Sequence, residues 1–119
     1  MSENKSVLNA PERTKSVVDE MTQKGVNYVQ IEVPDMDGML RGKILKPKKG
    51  LSDMGSAYCT ILYGLSTQDD VMESEFSSFE NGFPDLFTVP DLDTAIHQSW
   101  RPEFASVICD MVDPDTAEL

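Results

Sequence analysis

The side chains that most often do chemistry in proteins are sparse in this sequence. His97 is the one histidine, so a single copy cannot assemble a cluster of imidazole metal ligands. The serines have no histidine base near them in the sequence, and a catalytic triad cannot be assigned to one histidine without geometry. We expect His97 at the surface or at a boundary, and we expect no metal centre and no independent nucleophilic catalysis in this chain.

Two short charged motifs resemble ligand-binding loops but have the wrong spacing. The run with Asp35, Asp37 and Gly38 begins like a calcium loop, yet the third acidic position and the bidentate glutamate are misplaced. We interpret it as a turn. Arg41 and Lys43 could contact phosphate, but no glycine-rich loop precedes them. They fit a strand with solvent-facing charges, and they could pair with acidic residues of the same chain or of a neighbouring subunit.

The acidic residues are concentrated in the middle of the chain. The 119 residues carry a formal net charge of −11, with no lysine or arginine between Gly50 and Trp100. This charge argues against nucleic acid and anionic membranes as partners, because both bind cationic surfaces. A partner should be cationic, apolar or another protein. Nine carboxylates predict a solvated acidic loop, with a cation-collecting funnel as the alternative: Asp53, Asp69, Asp70, Glu73, Glu75, Glu80, Asp85, Asp91 and Asp93.

The sequence predicts a cytoplasmic location. No window approaches the roughly 20 apolar residues of a membrane span, and residues 1–11 lack the apolar stretch of a secretion signal. Both cysteines, Cys59 and Cys109, lie inside apolar runs. A thiol in such a run is more often a small buried hydrophobe than a ligand or half of a disulfide, so we expect two inert core thiols.

Hydrophobic periodicity predicts a helix at the beginning of the chain. Asn9 is a good N-cap, and Val17 and Met21 fall on one side of a helix that extends to about Lys24. Gly25 can adopt the left-handed backbone conformation that commonly ends a helix. The residues before Asn9 carry no pattern and are expected to be mobile.

From Val26 the apolar residues recur at every second position, which is typical of a half-buried strand, and Pro34 ends this pattern. A turn should follow, and Met39–Lys46 should return antiparallel as the second strand of a hairpin. Gly42 within that strand suggests a bulge or a close backbone approach. The core-facing residues of the first strand are Val29, Ile31 and Val33.

The rest of the chain alternates short elements with one long irregular interval. We expect a short helical turn over Leu51–Gly55, a buried strand over Ala57–Tyr63, an extended piece over Phe83–Val89 and a strand over Ala105–Val112. The interval Gly64–Asn81 shows no clear pattern, and loops of that length are often functional or mobile. These elements predict an α+β fold with a mixed sheet.

Two motif blocks resemble the glutamine synthetase superfamily. The first runs from Gly25 to Lys43, and its glycine, tyrosine-valine, aspartate-glycine and arginine-glycine-lysine elements are similar to the opening of the N-terminal domain in that superfamily. The second contains Pro84-Asp85, Pro90-Asp91 and Thr94, followed by Trp100, Pro102, Ala105, Val107 and Asp110, and it resembles the segment that closes the same domain. Together the blocks cover about three-quarters of the chain, and the branch that includes gamma-glutamylpolyamine synthetases is the most similar.

The resemblance implies a β-grasp-like mixed sheet packed on the N-terminal helix. It implies a flexible N-terminus over residues 1–8, the domain over 9–113, and over 114–119 the start of a linker to a catalytic domain. In such ligases ATP phosphorylates the side-chain carboxylate of glutamate, an amine or ammonia displaces phosphate, and Mg²⁺ or Mn²⁺ assists. Cofactor and metal ligands belong to the catalytic domain, so the resemblance implies none in this chain.

The resemblance also implies a latch loop that completes the active site of the neighbouring subunit. The family version in ammonia-using members carries an aspartate that binds ammonium, and the best local match is Leu62–Ser66. Gly64 and Ser66 fit this pattern, but Tyr63 stands where the carboxylate should be, which puts ammonia use in doubt. The candidate site residues are therefore Ser66 and, as substitutes for the missing carboxylate, Asp69 and Asp70.

Aromatic residues give two further expectations. Trp100 is interpreted as a packing anchor rather than a ligand contact, although Ser99 stands before it where the family usually carries proline. A domain that faces another subunit should expose apolar surface. We expect such a patch near the acidic loop, formed by Phe76, Phe79, Phe83 and Phe87.

Two functions remain in competition at this point. The favoured hypothesis is the N-terminal domain, isolated or truncated, of an ATP-dependent ligase that joins glutamate to an amine or ammonia within a homo-oligomer. The chain alone is then catalytically incomplete, and its partner is the catalytic domain of the same or a neighbouring subunit. The alternative is a free-standing, non-catalytic β-grasp module with an interaction or regulatory role. The amine and the oligomeric state are not encoded in these motifs.

Overall fold

The structure is a computed structural model that describes residues 8–35, 37–66, 68 and 70–116. Residues 1–7 of the predicted flexible N-terminus and residues 117–119 of the predicted linker lie outside the described residues. The elements in chain order are helix α1 (Pro11–Gln23), strands β1 (Tyr28–Pro34) and β2 (Leu40–Leu45), the single-turn helix α2 (Pro47–Gly50), and strands β3 (Ala57–Cys59), β4 (Asp85–Pro90), β5 (Ile96–His97) and β6 (Phe104–Val112). Two 3-10 helices occupy Thr60–Gly64 and Leu92–Thr94.

The strands form one curled mixed sheet in the order β2-β1-β6-β4-β3, with β5 paired to β6. Strands β1 and β6 run parallel, with Ile31 opposite Val107, and the other pairs are antiparallel. Parallel neighbours require a long crossover connection. The residues between β1 and β6 supply it, and they include every other strand. The predicted α+β fold with a mixed sheet is confirmed.

Helix α1 packs on one face of this sheet, as predicted. Val17 and Met21 are buried in the same cluster as Ile31 and Val107 from the two central strands. The opposite face of these strands is more exposed, and the burial of β1 alternates residue by residue along its length. A sheet covered on one face shows this alternation because successive side chains point to opposite sides.

The helix start differs from the prediction. The residue at the N-cap is Ala10, which has no capping side chain, and Pro11 provides the pre-set backbone of the first turn. Asn9 instead donates through its backbone nitrogen and Nδ2 to the Asp53 carboxylate, both over 2.7 Å, and through Nδ2 to the Pro90 carbonyl over 2.9 Å. The predicted glycine stop is confirmed, since Gly25 has a φ of +84°.

The predicted hairpin between β1 and β2 is present. Gly38 in its turn has a φ of +79°. A Cβ on Gly42 would lie 2.7 Å from the Ile31 carbonyl oxygen, so the close backbone approach, and not a bulge, explains this glycine.

Arg41 donates to Asp35 in the turn over 3.0 Å, and Lys43 donates to the Ala57 carbonyl over 2.6 Å. Lys43 forms no ion pair with a carboxylate among the described residues, and its pairing across a subunit boundary stays a prediction.

Two elements after the hairpin were misplaced by the sequence patterns. The helical turn expected over Leu51–Gly55 lies over Pro47–Gly50, because Pro47 suits a first helical position. The strand expected over Ala57–Tyr63 ends at Cys59 and continues as the 3-10 helix. An apolar run does not by itself distinguish these two conformations. The extended piece after Phe83 and the strand from Ala105 to Val112 are confirmed as β4 and β6.

After Gly64, which ends the 3-10 helix, the described residues of the long interval contain no helix or strand, apart from an isolated bridge between Leu65 and Val71. Most described carboxylates of the acidic middle segment are exposed, as a solvated loop requires. No described helix is long and apolar enough to cross a bilayer.

Candidate functional site

The candidate latch loop follows the 3-10 helix and closes on itself through its backbone. The Met72 nitrogen donates to the Gly64 carbonyl over 2.6 Å, and the Ser66 nitrogen donates to the Asp70 carbonyl over 2.9 Å. Leu65 and Val71 form the bridge between these two contacts. The loop is therefore a small antiparallel excursion, and Ser66, Gln68 and Asp70 are the described residues near its tip.

Gly64 is required at the base of this loop. A Cβ added there would lie 2.5 Å from the Met72 carbonyl oxygen, closer than real Cβ atoms come to backbone. Every other residue type carries that atom, so a side chain at position 64 would push the two arms of the loop apart. The family pattern and the packing thus agree on glycine.

Ser66 organises the tip of the loop. Its Oγ accepts hydrogen bonds from the backbone nitrogens of Gln68 over 3.2 Å and Asp70 over 3.1 Å. These contacts give the hydroxyl a positioning role of the kind that serine takes in turns. Among the described residues, Ser66 makes no hydrogen bond to His97, whose Nε2 lies 2.7 Å from the Pro102 carbonyl.

The three candidate residues have different outcomes. Ser66 and Asp70 are brought together by the loop, and Asp70 is exposed. Asp69 lies outside the described residues. The replacement of the latch carboxylate by Asp69 or Asp70 stays a prediction.

A surface cleft of about 510 Å³ opens beside the loop. Tyr63, Gly64 and Ser66 line it, together with two carboxylate residues, Asp37 and Glu73. Asp37 comes from the β1–β2 turn and Glu73 from the segment after the loop. The sequence patterns did not associate either residue with the latch, and no local signal could have done so, because only the fold brings the turn to the cleft.

Tyr63 is a neutral residue in this cleft wall. Burial raises the pKa of its phenol, and the nearby Asp110 carboxylate raises it further. Its ring meets Phe76 edge-on, with the centroids 6.4 Å apart. The side chain can therefore donate a hydrogen bond and contribute apolar contact, but it carries no charge at neutral pH.

The two thiols differ in burial. Cys109 is buried in the core, and desolvation raises the pKa of its thiol to about 12. This confirms the inert core thiol at that position. Cys59 is only half-buried, and its Sγ donates to the Phe83 carbonyl over 3.1 Å.

Within the described residues, no group of three or more histidine, cysteine, aspartate or glutamate side chains could hold a metal ion.

The aromatic expectations are partly wrong. Trp100 is 72 % exposed, so it is not a packing anchor in this chain. Phe76 and Phe79 are exposed, as the predicted apolar patch requires. Phe83 and Phe87 are half-buried, because Phe83 stacks edge-on against Phe79 and Phe87 belongs to β4.

Known proteins similar to this chain are ligases of one superfamily. A glutamate–isopropylamine ligase of a Pseudomonas species is 29 % identical over 99 residues, which cover 80 % of this chain and 22 % of that protein. A type-1 glutamine synthetase 2 of Dictyostelium discoideum is 30 % identical over 88 residues, which cover 71 % of this chain and 17 % of that protein. The chain therefore spans about a fifth of the length of these relatives. No family model matches the chain.

Solved structures give the same fold. GmaS in complex with ADP superimposes with a TM-score of 0.58 at 16 % identity over 80 % of this chain and 20 % of its own. A novel glutamine synthase homolog gives 0.60 at 20 % identity over 79 % of this chain and 23 % of its own. The chain belongs to the glutamine synthetase superfamily and corresponds to the N-terminal region of its glutamate–amine ligases.

Proposed function

We propose that this chain acts as the N-terminal domain of an ATP-dependent ligase that joins glutamate to an amine or ammonia. The observation that carries the proposal is the similarity to a glutamate–isopropylamine ligase over 80 % of this chain. Because the chain spans only a fifth of that relative, the activity belongs to a larger assembly. A cytoplasmic homo-oligomer is part of the proposal.

The latch loop and its cleft are the parts of the chain that would face the catalytic domain. The loop has a fixed shape, because Gly64 and Met72 close its base and Ser66 organises its tip. Asp37 and Glu73 place two carboxylates beside it. Such a wall attracts a cationic amine through charge, while Tyr63 offers neutral, apolar contact to the carbon skeleton of a larger amine.

In this proposal, the described residues bind neither ATP nor a catalytic metal. No set of metal ligands is present among them. In the proposed full-length ligase, ATP would activate the glutamate carboxylate with Mg²⁺ or Mn²⁺, and those groups would be held by the catalytic domain. The contribution of this chain is to shape and close the site, which is a matter of positioning.

Three observations test this function. Titration calorimetry of the 119-residue chain should detect no binding of ATP or glutamate. The reading frame that contains the chain should continue into a catalytic region, and the protein expressed from it should form γ-glutamyl amides from glutamate, ATP and an alkylamine. Micromolar ATP binding by the chain alone, or a frame without any ligase region, would contradict the proposal.

A free-standing regulatory module is the second candidate, and Tyr63 favours it, because a domain without catalytic duty has no need for the latch carboxylate. In that case the chain should act on a complete ligase in trans. Adding it to a purified superfamily ligase should change the activity of that enzyme and give a stable complex in a pull-down. An absence of both effects would exclude this candidate.

A further inference from the structure

A cleft between α1 and α2 gathers an unusual share of the basic residues of this chain. Its volume is about 690 Å³, and most of its surface is apolar. We call it the lysine cleft, because four of the ten basic residues line it. Clefts of this volume are typical of sites for small organic molecules. Six of the lining residues define its character: Lys15, Val18, Asp19, Lys46, Lys48 and Lys49.

The lysine cleft combines an apolar wall with a cationic rim. Val18 is half-buried and packs against the core. The four lysines are exposed. A lysine covers apolar surface with its methylene stem while its ammonium group stays in water. Lys46 Nζ lies over the ring of Tyr28, 4.7 Å from the centroid, so a cation–π contact holds this ammonium group near the cleft.

No described carboxylate forms an ion pair with these lysines. The ion pairs among the described residues use other cations, namely Arg13, Lys24 and Arg41. Asp19 is the one acidic residue in the described lining, so the lining keeps three positive charges. Like charges gathered in one place repel one another. An anion bound in the cleft would remove this repulsion.

The net charge of −11 favours a small anion over a large one. Salt screens charges over about 10 Å at 0.1 M, so a molecule within the cleft responds mainly to the residues that line it. A nucleic acid or an anionic bilayer extends beyond the cleft and meets the acidic surface of the rest of the chain. The size of the cleft and the distribution of charge therefore both indicate a small molecule.

We propose that the lysine cleft binds a soluble anionic amphiphile, a small molecule that joins an alkyl or aryl body to a terminal phosphate or carboxylate. The anionic group contacts the ammonium groups at the rim, and the body covers Val18 and the lysine stems. Each half contributes, because burial of apolar area and charge complementarity are separate sources of affinity. The lysine cleft shares no lining residue with the cleft beside the latch loop, and this site does not depend on the proposed ligase function.

Titration calorimetry of the full chain with decyl phosphate, below the concentration at which it forms micelles, tests the site. We expect saturable binding that weakens as salt is added, because the lysines are exposed and salt screens them. Decanoate should bind at the same place with its single charge. Inorganic phosphate lacks the apolar body and decanol lacks the charge, so each should bind at least about tenfold more weakly than decyl phosphate.

Charge reversal locates the ligand. Lys48→Glu and Lys49→Glu should each weaken the binding of decyl phosphate about tenfold, since each reverses a charge at the rim. Lys24→Glu is the matched control, because it makes the same change outside the cleft, and it should leave the affinity nearly unchanged. Circular dichroism should show that the three variants are folded.

Amide chemical shifts give a second measure of location that needs no variant. On addition of decyl phosphate the amides of Val18 and Lys49 should shift in nuclear magnetic resonance spectra. The amides of Ser66 and Met72 in the latch loop should not shift. Shifts confined to the latch loop would contradict the assignment of the ligand to the lysine cleft.

Vesicles of phosphatidylglycerol separate a soluble ligand from a bilayer that displays the same chemistry. The chain should stay in the supernatant when such vesicles are sedimented. Three outcomes would overturn the proposal: no saturable binding of decyl phosphate, equal affinities in wild type and Lys48→Glu, and binding to vesicles without binding to free decyl phosphate. These measurements contain no ATP, glutamate or amine, so this site and the proposed function fail independently.

Discussion

The Gly64 carbonyl oxygen accepts a 2.6 Å hydrogen bond from the Met72 nitrogen, and a Cβ on Gly64 would stand 2.5 Å from the Met72 carbonyl oxygen. One residue pair thus closes the latch loop and also forbids a side chain at its base. The geometry at the base of the loop depends on this contact.

Gly64→Ala should open the base of the loop, because the added methyl group collides with backbone. We expect a loss of about 1–3 kcal/mol in the free energy of unfolding, as for other overpacked sites. Hydrogen exchange should show faster exchange at the Met72 and Ser66 amides. Gly25→Ala is the control: its φ of +84° makes alanine costly there too, but the loop amides should keep their relative protection. Unchanged exchange at Met72 in Gly64→Ala would disprove the closure argument.

Asn9 is expected to contribute more stability than the exposed ion pair between Arg13 and Asp93. Asn9→Ala removes the side-chain hydrogen bonds to Asp53 and Pro90, which are part-buried, and should cost about 1–2 kcal/mol. Asp93→Asn weakens a pair whose partners are 49 % and 88 % exposed, and it should cost less than about 1 kcal/mol. Urea unfolding of both variants measures the difference, and equal losses would contradict it.

Local patterns were sufficient for the parts of the fold that depend on local physics. The spacing of Val17 and Met21 predicted the buried side of α1, and the alternation around Ile31 predicted the core face of β1. Gly42 was recognised as a special position from its place inside a strand. Each of these signals lies within one helix or strand and follows the residue spacing of that element.

Features that depend on contacts between distant residues were not predictable in the same way. The parallel pairing of Ile31 with Val107 joins strands from opposite ends of the chain. Asn9 is a residue type that favours helix N-caps, but its side chain donates to the Asp53 carboxylate instead. Asp37 enters the candidate cleft only because the hairpin turn is folded against the loop. In each case the deciding partner lies far away in the sequence.

Stability at acid pH should depend on Asp35. Burial alone would raise the pKa of this carboxyl, but hydrogen bonds from the Met39 nitrogen, the Arg41 side chain and the Asp37 nitrogen together lower the pKa below its ordinary value of 3.8. A carboxyl with a lowered pKa stabilises the fold above its unfolded pKa, and this stabilisation is lost as the pH falls through the folded value. The stability of wild type and Asp35→Asn should therefore converge below about pH 4. A constant difference across acid pH would contradict this linkage.

Cys109 should resist thiol reagents in the folded protein. Burial raises the pKa of its thiol from 9.0 to about 12, so the thiolate fraction falls about a thousandfold. In a Cys59→Ala variant Cys109 is the one remaining thiol, and its reaction near pH 8 should be slow in buffer and rapid in denaturant. A raised pKa also means that this group stabilises the fold below pH 9 and that the stabilisation is lost as the pH rises toward 12. Rapid reaction of the folded variant would contradict both statements.

Tyr63 should determine which amine the proposed ligase prefers. The resemblance of Leu62–Ser66 to the latch pattern implies that Tyr63 stands where ammonia-using members carry an aspartate, and Tyr63→Asp would add a negative charge beside Asp37 and Glu73. In the full-length enzyme this variant should raise the use of ammonia relative to a larger alkylamine by about tenfold, which corresponds to about 1.4 kcal/mol of differential stabilisation. Tyr63→Phe is the matched control, because it keeps the ring that contacts Phe76 and adds no charge. The ratio of kcat/KM values for the two amines measures the effect. A ratio that shifts equally in both variants would show that the ring, and not the missing charge, sets the preference.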